Sequence, residues 1–127
     1  MMWEVVVSEE FCAAHALRHY YGKTEPLHGH NYKVEVTVRG KRLQNKVKYL
    51  TDFVALRRKL HEIVNPMDHT NLNELPPFDR DNPSAENVAF YIAKKLQKGW
   101  KDTVARIHCV TVWETSASGA RYFPGRP

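Results

Sequence analysis

Three histidines in the first quarter of the chain have the spacing of a metal site. His28 and His30 are separated by one residue at the entrance of a strand-like run, so both side chains can point to one face of a strand. His15 lies in an earlier strand-like segment, where Ala13 and Ala14 leave room around it. Three histidines with an open fourth position are typical of a catalytic zinc site. The spacing therefore favours a bound metal ion, and the alternative is a set of polar residues at a strand entrance.

Three carboxylates could act beside such a metal. Glu25 lies close to His28 in the sequence, and Asp68 directly precedes His69 in a polar loop. The carboxylate–imidazole pair could relay a proton, although Asp68 could instead cap the turns of its loop. Glu114, at the end of a strand-like segment, could accept two parallel N–H bonds from an amino-pyrimidine edge. Its alternative role is that of an ordinary solvated residue at a strand end.

The composition is that of a soluble globular domain. The chain has 127 residues, of which 43% are hydrophobic and 26% charged. No apolar run approaches the length of about 18 residues that a transmembrane helix needs, and the polar start does not resemble a signal peptide. Cys12 and Cys109 are its two cysteines. Two thiols without a secretory signal predict a cytoplasmic protein.

The net charge of +5 is compatible with anionic small substrates, above all phosphates, and with nucleic acid. No zinc finger, aromatic RNA-binding motif or recognition helix is recognisable in the sequence. We therefore expect a small-molecule substrate, with neither nucleic acid nor a membrane as a partner.

The elements that must position these residues begin with strands. A β-rich segment is predicted from residue 3 to about residue 17, with a break near residues 8–10. Within it, the alternation places Phe11, Ala13 and His15 on one face. The clearest strand covers residues 31–39, and residues 47–51 are predicted to form the return strand of a hairpin.

Two amphipathic helices and two further strands complete the prediction. Asp52, or Thr51 before it, caps the first helix, and Ser84 caps the second. The apolar stripes comprise Phe53, Leu56, Leu60, Ile63 and Val64 in the first helix, and Ala85, Val88, Ala89, Ile92, Ala93 and Leu96 in the second. Strands are predicted at residues 104–115 and 120–123.

The order β-β-β-α-α-β-β predicts one α+β domain, residues 1–127, with an antiparallel sheet and two helices packed on one face. A small sheet of this kind has exposed edges, and homo-oligomerisation is a common way to cover them.

Six motifs resemble, in their order, those of the 6-pyruvoyl-tetrahydropterin synthase family, which includes 6-carboxytetrahydropterin synthase. They are FCAAH (11–15), LHGHNY (27–32), TDF (51–53), MDHTNLN (67–73), NPSAEN (82–87) and VWET (112–115). The resemblance extends over nearly the whole chain. It implies the tunnelling fold, a homohexamer made of two trimers, and active sites between subunits.

The resemblance also implies roles for individual residues. His15, His28 and His30 would hold Zn²⁺, and Asp68 and His69 would form the proton-transfer pair. Glu114 would anchor the pterin, with Thr115 beside it, and Lys23 would contact the phosphates. The implied substrate is 7,8-dihydroneopterin triphosphate, whose side-chain hydroxyls chelate the zinc.

One departure from the family pattern affects the reaction. Standard members carry a catalytic cysteine four residues before the first histidine of the His-Gly-His motif, and this chain has Thr24 there. Glu25 stands at the next position, three residues before His28. This resembles the variant subgroup called type III, in which a glutamate replaces the cysteine. That subgroup is associated with the formation of 6-hydroxymethyl-7,8-dihydropterin, a folate precursor.

The chemistry of the two side chains supports this interpretation. A thiol has an ordinary pKa of about 8.5 and a glutamate of about 4.3. A carboxylate is a weaker base toward carbon and suits an O–H proton whose acidity zinc has raised. We therefore expect a lyase that cleaves the pterin side chain. The alternatives are a 6-pyruvoyl- or 6-carboxy-tetrahydropterin synthase with another base, and a non-catalytic pterin-binding protein.

Overall fold

A five-stranded sheet with two helices on one face forms the molecule. The computed structural model describes residues 1–125, so residues 126 and 127 of the predicted domain lie outside the described residues. The strands are β1 (Trp3–His15), β2 (His28–Gly40), β3 (Thr70–Asn71), β4 (Arg106–Thr115) and β5 (Ser118–Tyr122). The helices are α1 (Phe53–Val64) and α2 (Ala85–Gln97), and two short 3-10 helices cover Asn65–Met67 and Leu72–Glu74.

The strand order is β3-β1-β2-β4-β5, with β3 parallel to β1 and every other pair antiparallel. The predicted break near residues 8–10 is wrong, because β1 pairs with β2 without interruption from Trp3 to His15. Because β2 has the same length as β1 and pairs with all of it, β1 stays extended through its polar residues 8–10. Glu9 is accommodated on the helix side by a contact of its Oε1 with Nδ1 of His61, at 3.0 Å.

The predicted return strand at residues 47–51 is also wrong. These residues form turns, with one isolated bridge between Gln44 and Tyr49. Both edges of β2 are already paired, with β1 on one side and β4 on the other, so no edge is left for a hairpin partner. The apolar side chain of Leu50 is buried in the core instead.

The helices begin where the sequence predicts. Asp52 accepts a hydrogen bond from the N–H of Val54, and Ser84 accepts one from the N–H of Asn87. The whole predicted stripe of α2 is buried, and α1 buries Leu56, Leu60 and Val64. The prediction that Phe53 belongs to the buried stripe of α1 is wrong. Phe53 is 56% exposed, and it lies in the solvent-exposed first turn of the helix.

The core lies between the helices and one face of the sheet. Helix α1 packs against β1, and α2 packs against β4 and β5. Alternate residues of β2 (Tyr32, Val34, Val36 and Val38) are fully buried beneath the helices, as the alternation predicts. The α+β architecture with two helices on one face is therefore confirmed. Among the described residues, no helix is long and apolar enough to cross a membrane.

Candidate metal centre and active site

The register of β1 against β2 brings the three histidines together. His15 pairs with His28, and Ala13 pairs with His30, so all three imidazoles project from the same face. The ring centroids are 4.7 to 5.0 Å apart. One nitrogen from each ring lies within 4.8 Å of the others. The predicted triad is thus a geometrically adequate set of metal ligands.

Backbone carbonyls orient two of these rings. Nδ1 of His15 donates to the carbonyl oxygen of Pro83 at 2.7 Å, and Nδ1 of His28 donates to that of Pro26 at 2.9 Å. A carbonyl oxygen can only accept, so Nδ1 carries a proton in both rings, and Nε2 is the nitrogen that can bind a metal. Nε2 of His28 lies 3.1 Å from Nε2 of His30. Outer hydrogen bonds of this kind prepare imidazoles to bind a metal.

The three histidines differ in their exposure to solvent. The side chain of His15 is buried, that of His30 is 16% exposed and that of His28 is 40% exposed. Burial lowers the pKa of His30, and it outweighs the opposing effect of the Glu114 carboxylate. The ring of His30 is therefore neutral near pH 7, as a metal ligand must be. The centre is closed on the side of His15 and open on the side of His28.

Glu25 lies at the open side of this centre. Its Oε1 is 3.9 Å from Nε2 of His28 and accepts a hydrogen bond of 3.0 Å from the N–H of Leu17. Its backbone N–H donates to the carbonyl oxygen of Leu17, also at 3.0 Å. The neighbouring Thr24 is exposed. The structure therefore places the Glu25 carboxylate beside His28.

Glu114, near the end of β4, lies beside two other members of the triad, His15 and His30. Its Oε2 is 3.6 Å from Nε2 of His30, and its Oε1 is 3.9 Å from Nε2 of His15. Thr115 is turned toward the following loop, where its hydroxyl accepts a hydrogen bond from the N–H of Ala117. Lys23 is exposed. Of the three predicted substrate contacts, Glu114 is the one in contact with the histidine triad.

Asp68 and His69 lie beside the outer edge of β1. Asp68 accepts a hydrogen bond from the N–H of Cys12 at 2.8 Å, and the N–H of His69 donates to the carbonyl oxygen of Cys12 at 2.6 Å. Nε2 of His69 is 3.4 Å from Oδ2 of Asp68, and the His69 side chain is 80% exposed. Within the described residues, no polar contact links this pair to the three histidines. The two side chains are close enough to each other for a carboxylate–imidazole pair, and in the described part of the chain the pair is held by β1 rather than by the triad.

Comparison with known proteins assigns the family. The family model described as 6-pyruvoyl tetrahydropterin synthase matches residues 4–125. The chain belongs to this family. All six motifs on which the resemblance was based lie within the matched residues.

Two curated relatives match along almost their whole length. The dihydroneopterin monophosphate aldolase of Pyrococcus furiosus is 32% identical over 94% of this chain and 96% of its own. The 6-carboxy-5,6,7,8-tetrahydropterin synthase of a Synechocystis strain is 36% identical over 98% of this chain and 96% of its own. The family thus contains similar relatives with different named activities, so membership alone does not select the reaction.

A solved structure establishes the fold. The 6-pyruvoyl tetrahydropterin synthase of Caenorhabditis elegans superposes with a TM-score of 0.84 at 24% identity, covering 98% of this chain and 97% of that one. The tunnelling fold predicted from the resemblance is therefore confirmed.

Tyr32 also belongs to this site, although the sequence pattern predicted only that it lies on the buried face of a strand. It is fully buried, and its ring lies 5.9 Å from that of His15 and 5.4 Å from that of His30. It also stacks on Phe11 at 4.8 Å. Burial raises the pKa of Tyr32, and the negative charge of Glu114 acts in the same direction. Tyr32 follows His30 by two residues on one strand face, and this spacing is the signal that could have identified it.

Proposed function

We propose that the protein is a zinc-dependent lyase that cleaves the side chain of 7,8-dihydroneopterin triphosphate and forms 6-hydroxymethyl-7,8-dihydropterin. The observation that carries this proposal is the carboxylate of Glu25 at 3.9 Å from the His28 imidazole, beside the histidine triad. No thiol occupies that place, since the neighbouring position is Thr24. The base available at the centre is thus suited to an O–H proton.

Zinc is proposed from the chemistry of the donors. Three imidazoles that leave a fourth position open suit a catalytic zinc ion. Bound there, zinc would raise the acidity of the side-chain hydroxyls of the substrate. Iron and other divalent ions also accept three imidazoles, so metal analysis of the purified protein decides the identity.

Glu25 is assigned the role of general base. Its Oε1 is held by the N–H of Leu17 and lies 3.9 Å from Nε2 of His28, and the carboxylate oriented in this way would accept the proton of the second side-chain hydroxyl. As this hydroxyl becomes an aldehyde, the bond between the first and second side-chain carbons breaks, and its electron pair passes into the pterin ring. The Asp68–His69 pair returns a proton to the first carbon. The products are the hydroxymethyl pterin and a two-carbon aldehyde that carries the phosphates.

Glu114 is assigned to the pterin ring. Its carboxylate can accept two parallel N–H bonds from the amino-pyrimidine edge while lying beside the metal ligands. Thr115 and Lys23 are proposed to contact the ring edge and the phosphates, respectively. The ring would then be held beside His15 and His30.

We propose that the active site is completed by a second subunit within a homohexamer of two trimers. The Asp68–His69 pair lies beside the outer edge of β1, and β3 covers that edge at Ala13 and Ala14 alone. The exposed imidazole of His69 is available to a neighbouring subunit. Pairing between sheets would cover the remaining edge and place this pair at another subunit's metal centre.

The Pyrococcus relative favours a second candidate, which is the same cleavage of 7,8-dihydroneopterin monophosphate. The Synechocystis relative favours a third, which is a 6-carboxy-tetrahydropterin synthase. The first two candidates share all the chemistry at the metal centre, because the bond that breaks is distant from the phosphates.

Product analysis tests the proposal. Zinc-loaded protein is incubated separately with the triphosphate and the monophosphate, and the pterins are separated by chromatography. We expect 6-hydroxymethyl-7,8-dihydropterin, with the triphosphate as the better substrate. A pyruvoyl or carboxy pterin as the sole product would exclude the lyase, and faster cleavage of the monophosphate would select the second candidate.

We also propose a cytoplasmic location. Cys12 and Cys109 are free thiols, the first exposed and the second buried, which suits a reducing compartment. Fractionation of cells that express the protein tests this, and recovery from an oxidising compartment would contradict it.

A further inference from the structure

Two asparagines clamp the backbone between the metal ligand His15 and the loop that leads to Glu25. The side chain of Asn73 accepts a hydrogen bond from the N–H of Ala16 and donates one to its carbonyl oxygen, both at 2.8 Å. The side chain of Asn82 does the same at Arg18, at 2.7 and 2.8 Å. Each asparagine thus pairs with both backbone groups of one residue.

The backbone N–H and carbonyl of Leu17, which lies between the two clamped residues, point to the opposite side. Its N–H donates to Oε1 of Glu25, and its carbonyl oxygen accepts from the N–H of Glu25, both at 3.0 Å. In an extended chain, the backbone groups of successive residues point to opposite sides. Fixing Ala16 and Arg18 on one side therefore directs the backbone of Leu17 toward Glu25.

We propose that Asn73 and Asn82 are positioning residues for the base Glu25. They hold the N–H of Leu17 in place, and this N–H fixes Oε1 of Glu25, which lies 3.9 Å from Nε2 of His28, and so orients the carboxylate at the metal centre. Neither asparagine touches the reacting atoms in this arrangement. The inference rests on the proposed function, because it takes Glu25 as the base.

The two asparagines differ in their connection to the metal. Asn82 precedes Pro83, whose carbonyl oxygen orients His15, and its own carbonyl oxygen accepts a hydrogen bond from Asn87. Asn73 lies in a separate 3-10 helix and makes no hydrogen bond to that loop. Replacing Asn73 therefore changes the clamp and keeps the hydrogen bond between His15 and Pro83, so Asn73→Ala is the sharper variant.

The test combines kinetics with a structural readout. We expect Asn73→Ala to lower kcat for 7,8-dihydroneopterin triphosphate about 10- to 100-fold, with little change in KM, because the base is displaced rather than removed. Zinc content should stay at the wild-type value. Hydrogen exchange of the Leu17 amide, followed by NMR in the zinc-loaded protein, should become faster. Asn73→Asp keeps the acceptor for Ala16 and should recover part of kcat.

Asn45→Ala is the matched control. Asn45 also accepts a hydrogen bond from a backbone N–H, that of Val47, but it follows β2 at the end far from the histidines. Its loss should lower stability and leave kcat and the exchange of the Leu17 amide unchanged.

A double-mutant cycle separates positioning from general stability. In a Glu25→Gln background, which keeps a measurable residual rate, Asn73→Ala should cause no further loss of kcat, because the base that it positions is absent. Additive losses, or an unchanged exchange rate at Leu17, would overturn the inference while leaving the proposed function intact. Absence of turnover in the wild-type protein would overturn both.

Discussion

At the scale of single residues, the metal centre depends on where each proton lies. The carbonyl oxygen of Pro83 keeps the proton of His15 on Nδ1, and that of Pro26 does the same for His28. Both rings consequently leave Nε2 as the nitrogen that can bind a metal. Glu25, the proposed base, lies beside His28, and Glu114, the proposed ring anchor, lies beside His15 and His30.

Replacement of His15 should remove the metal and weaken the fold. In His15→Ala, we expect zinc to be lost on dialysis against a chelator. The metal-free variant should also unfold about 1–3 kcal/mol more easily than metal-free wild type, since the carbonyl oxygen of Pro83 loses its buried donor. Metal analysis and urea unfolding measure the two effects. His61→Ala, which alters an exposed histidine of α1, should keep its zinc, and zinc retention by His15→Ala would contradict the assignment.

Replacement of Glu25 should abolish turnover without affecting the metal. Glu25→Gln keeps an acceptor for the N–H of Leu17 but cannot take a proton, so kcat should fall about 10²- to 10⁴-fold with zinc content unchanged. Steady-state kinetics and metal analysis check this. Thr24→Ala, at the exposed neighbouring position, should behave as wild type. Substantial activity in Glu25→Gln would show that Glu25 is only a loop residue.

At the scale of elements, the turn before β4 determines where that strand begins. Asp102 accepts hydrogen bonds from the N–H groups of Val104 and Ala105, and also from the side chain of Gln44 in the loop after β2. Burial tends to raise the pKa of Asp102, but these hydrogen bonds, with the charge of Lys59, outweigh it and lower the pKa. The turn explains why β4 starts at Arg106 rather than at the predicted residue 104.

Asp102 should make stability dependent on pH at the acidic end. Because its pKa is lower in the folded protein, its ionised form stabilises the fold. Asp102 contributes its full stabilisation at pH values above the ordinary pKa of 3.8. The contribution is lost as the pH falls through the lower pKa that Asp102 has in the folded protein. Asp102→Asn should be about 1 kcal/mol less stable than wild type near neutral pH, with a difference that shrinks below about pH 4. Urea unfolding across this range measures it, and a constant difference would contradict the assignment. Asp79→Asn, at an exposed position, is the control.

At the scale of the whole molecule, the groups assigned to one reaction lie in two places. The histidine triad, Glu25 and Glu114 form one cluster, whereas Asp68 and His69 lie beside the outer edge of β1. A shared site between subunits reconciles this separation with a single reaction. Such a site makes activity a property of the assembly and not of the isolated chain.

Mixed oligomers test this arrangement. Glu25→Ala and Asp68→Asn should each be inactive. Oligomers formed by refolding an equal mixture should recover roughly a quarter of the wild-type activity. In a random mixture, about one neighbouring pair in four combines an intact Glu25 from one subunit with an intact Asp68 from the other. Activity per subunit after mixing is the measurement. A mixture of Glu25→Ala with Glu114→Ala should stay inactive, since both residues belong to the same subunit's cluster. Equal behaviour of the two mixtures would exclude a shared site.

Much of the fold follows from local patterns. The alternation of β2 and the stripe of α2 were predicted correctly, because burial on one face imposes a period that is visible in a short window. The break in β1 and the strand at residues 47–51 were wrong. Both errors concern which strand pairs with which, and hydrogen bonds between segments far apart in the chain decide that.

The sequence by itself predicted the candidate metal triad and showed Thr24-Glu25 where the family pattern has a cysteine, because strand periodicity and motif spacing are local properties. Only the tertiary structure decided that Glu25 lies beside His28, and that Asn73 and Asn82 support it through Leu17. It also decided that Asp68 and His69 lie beside β1 at Cys12. The contacts of Asn73, Asn82 and Asp68 join segments more than fifty residues apart in the chain, and no local pattern encodes them. The contacts of Glu25 with Leu17 and His28 are close in the chain, but they depend on the conformation of an irregular loop, which hydrophobic periodicity does not predict.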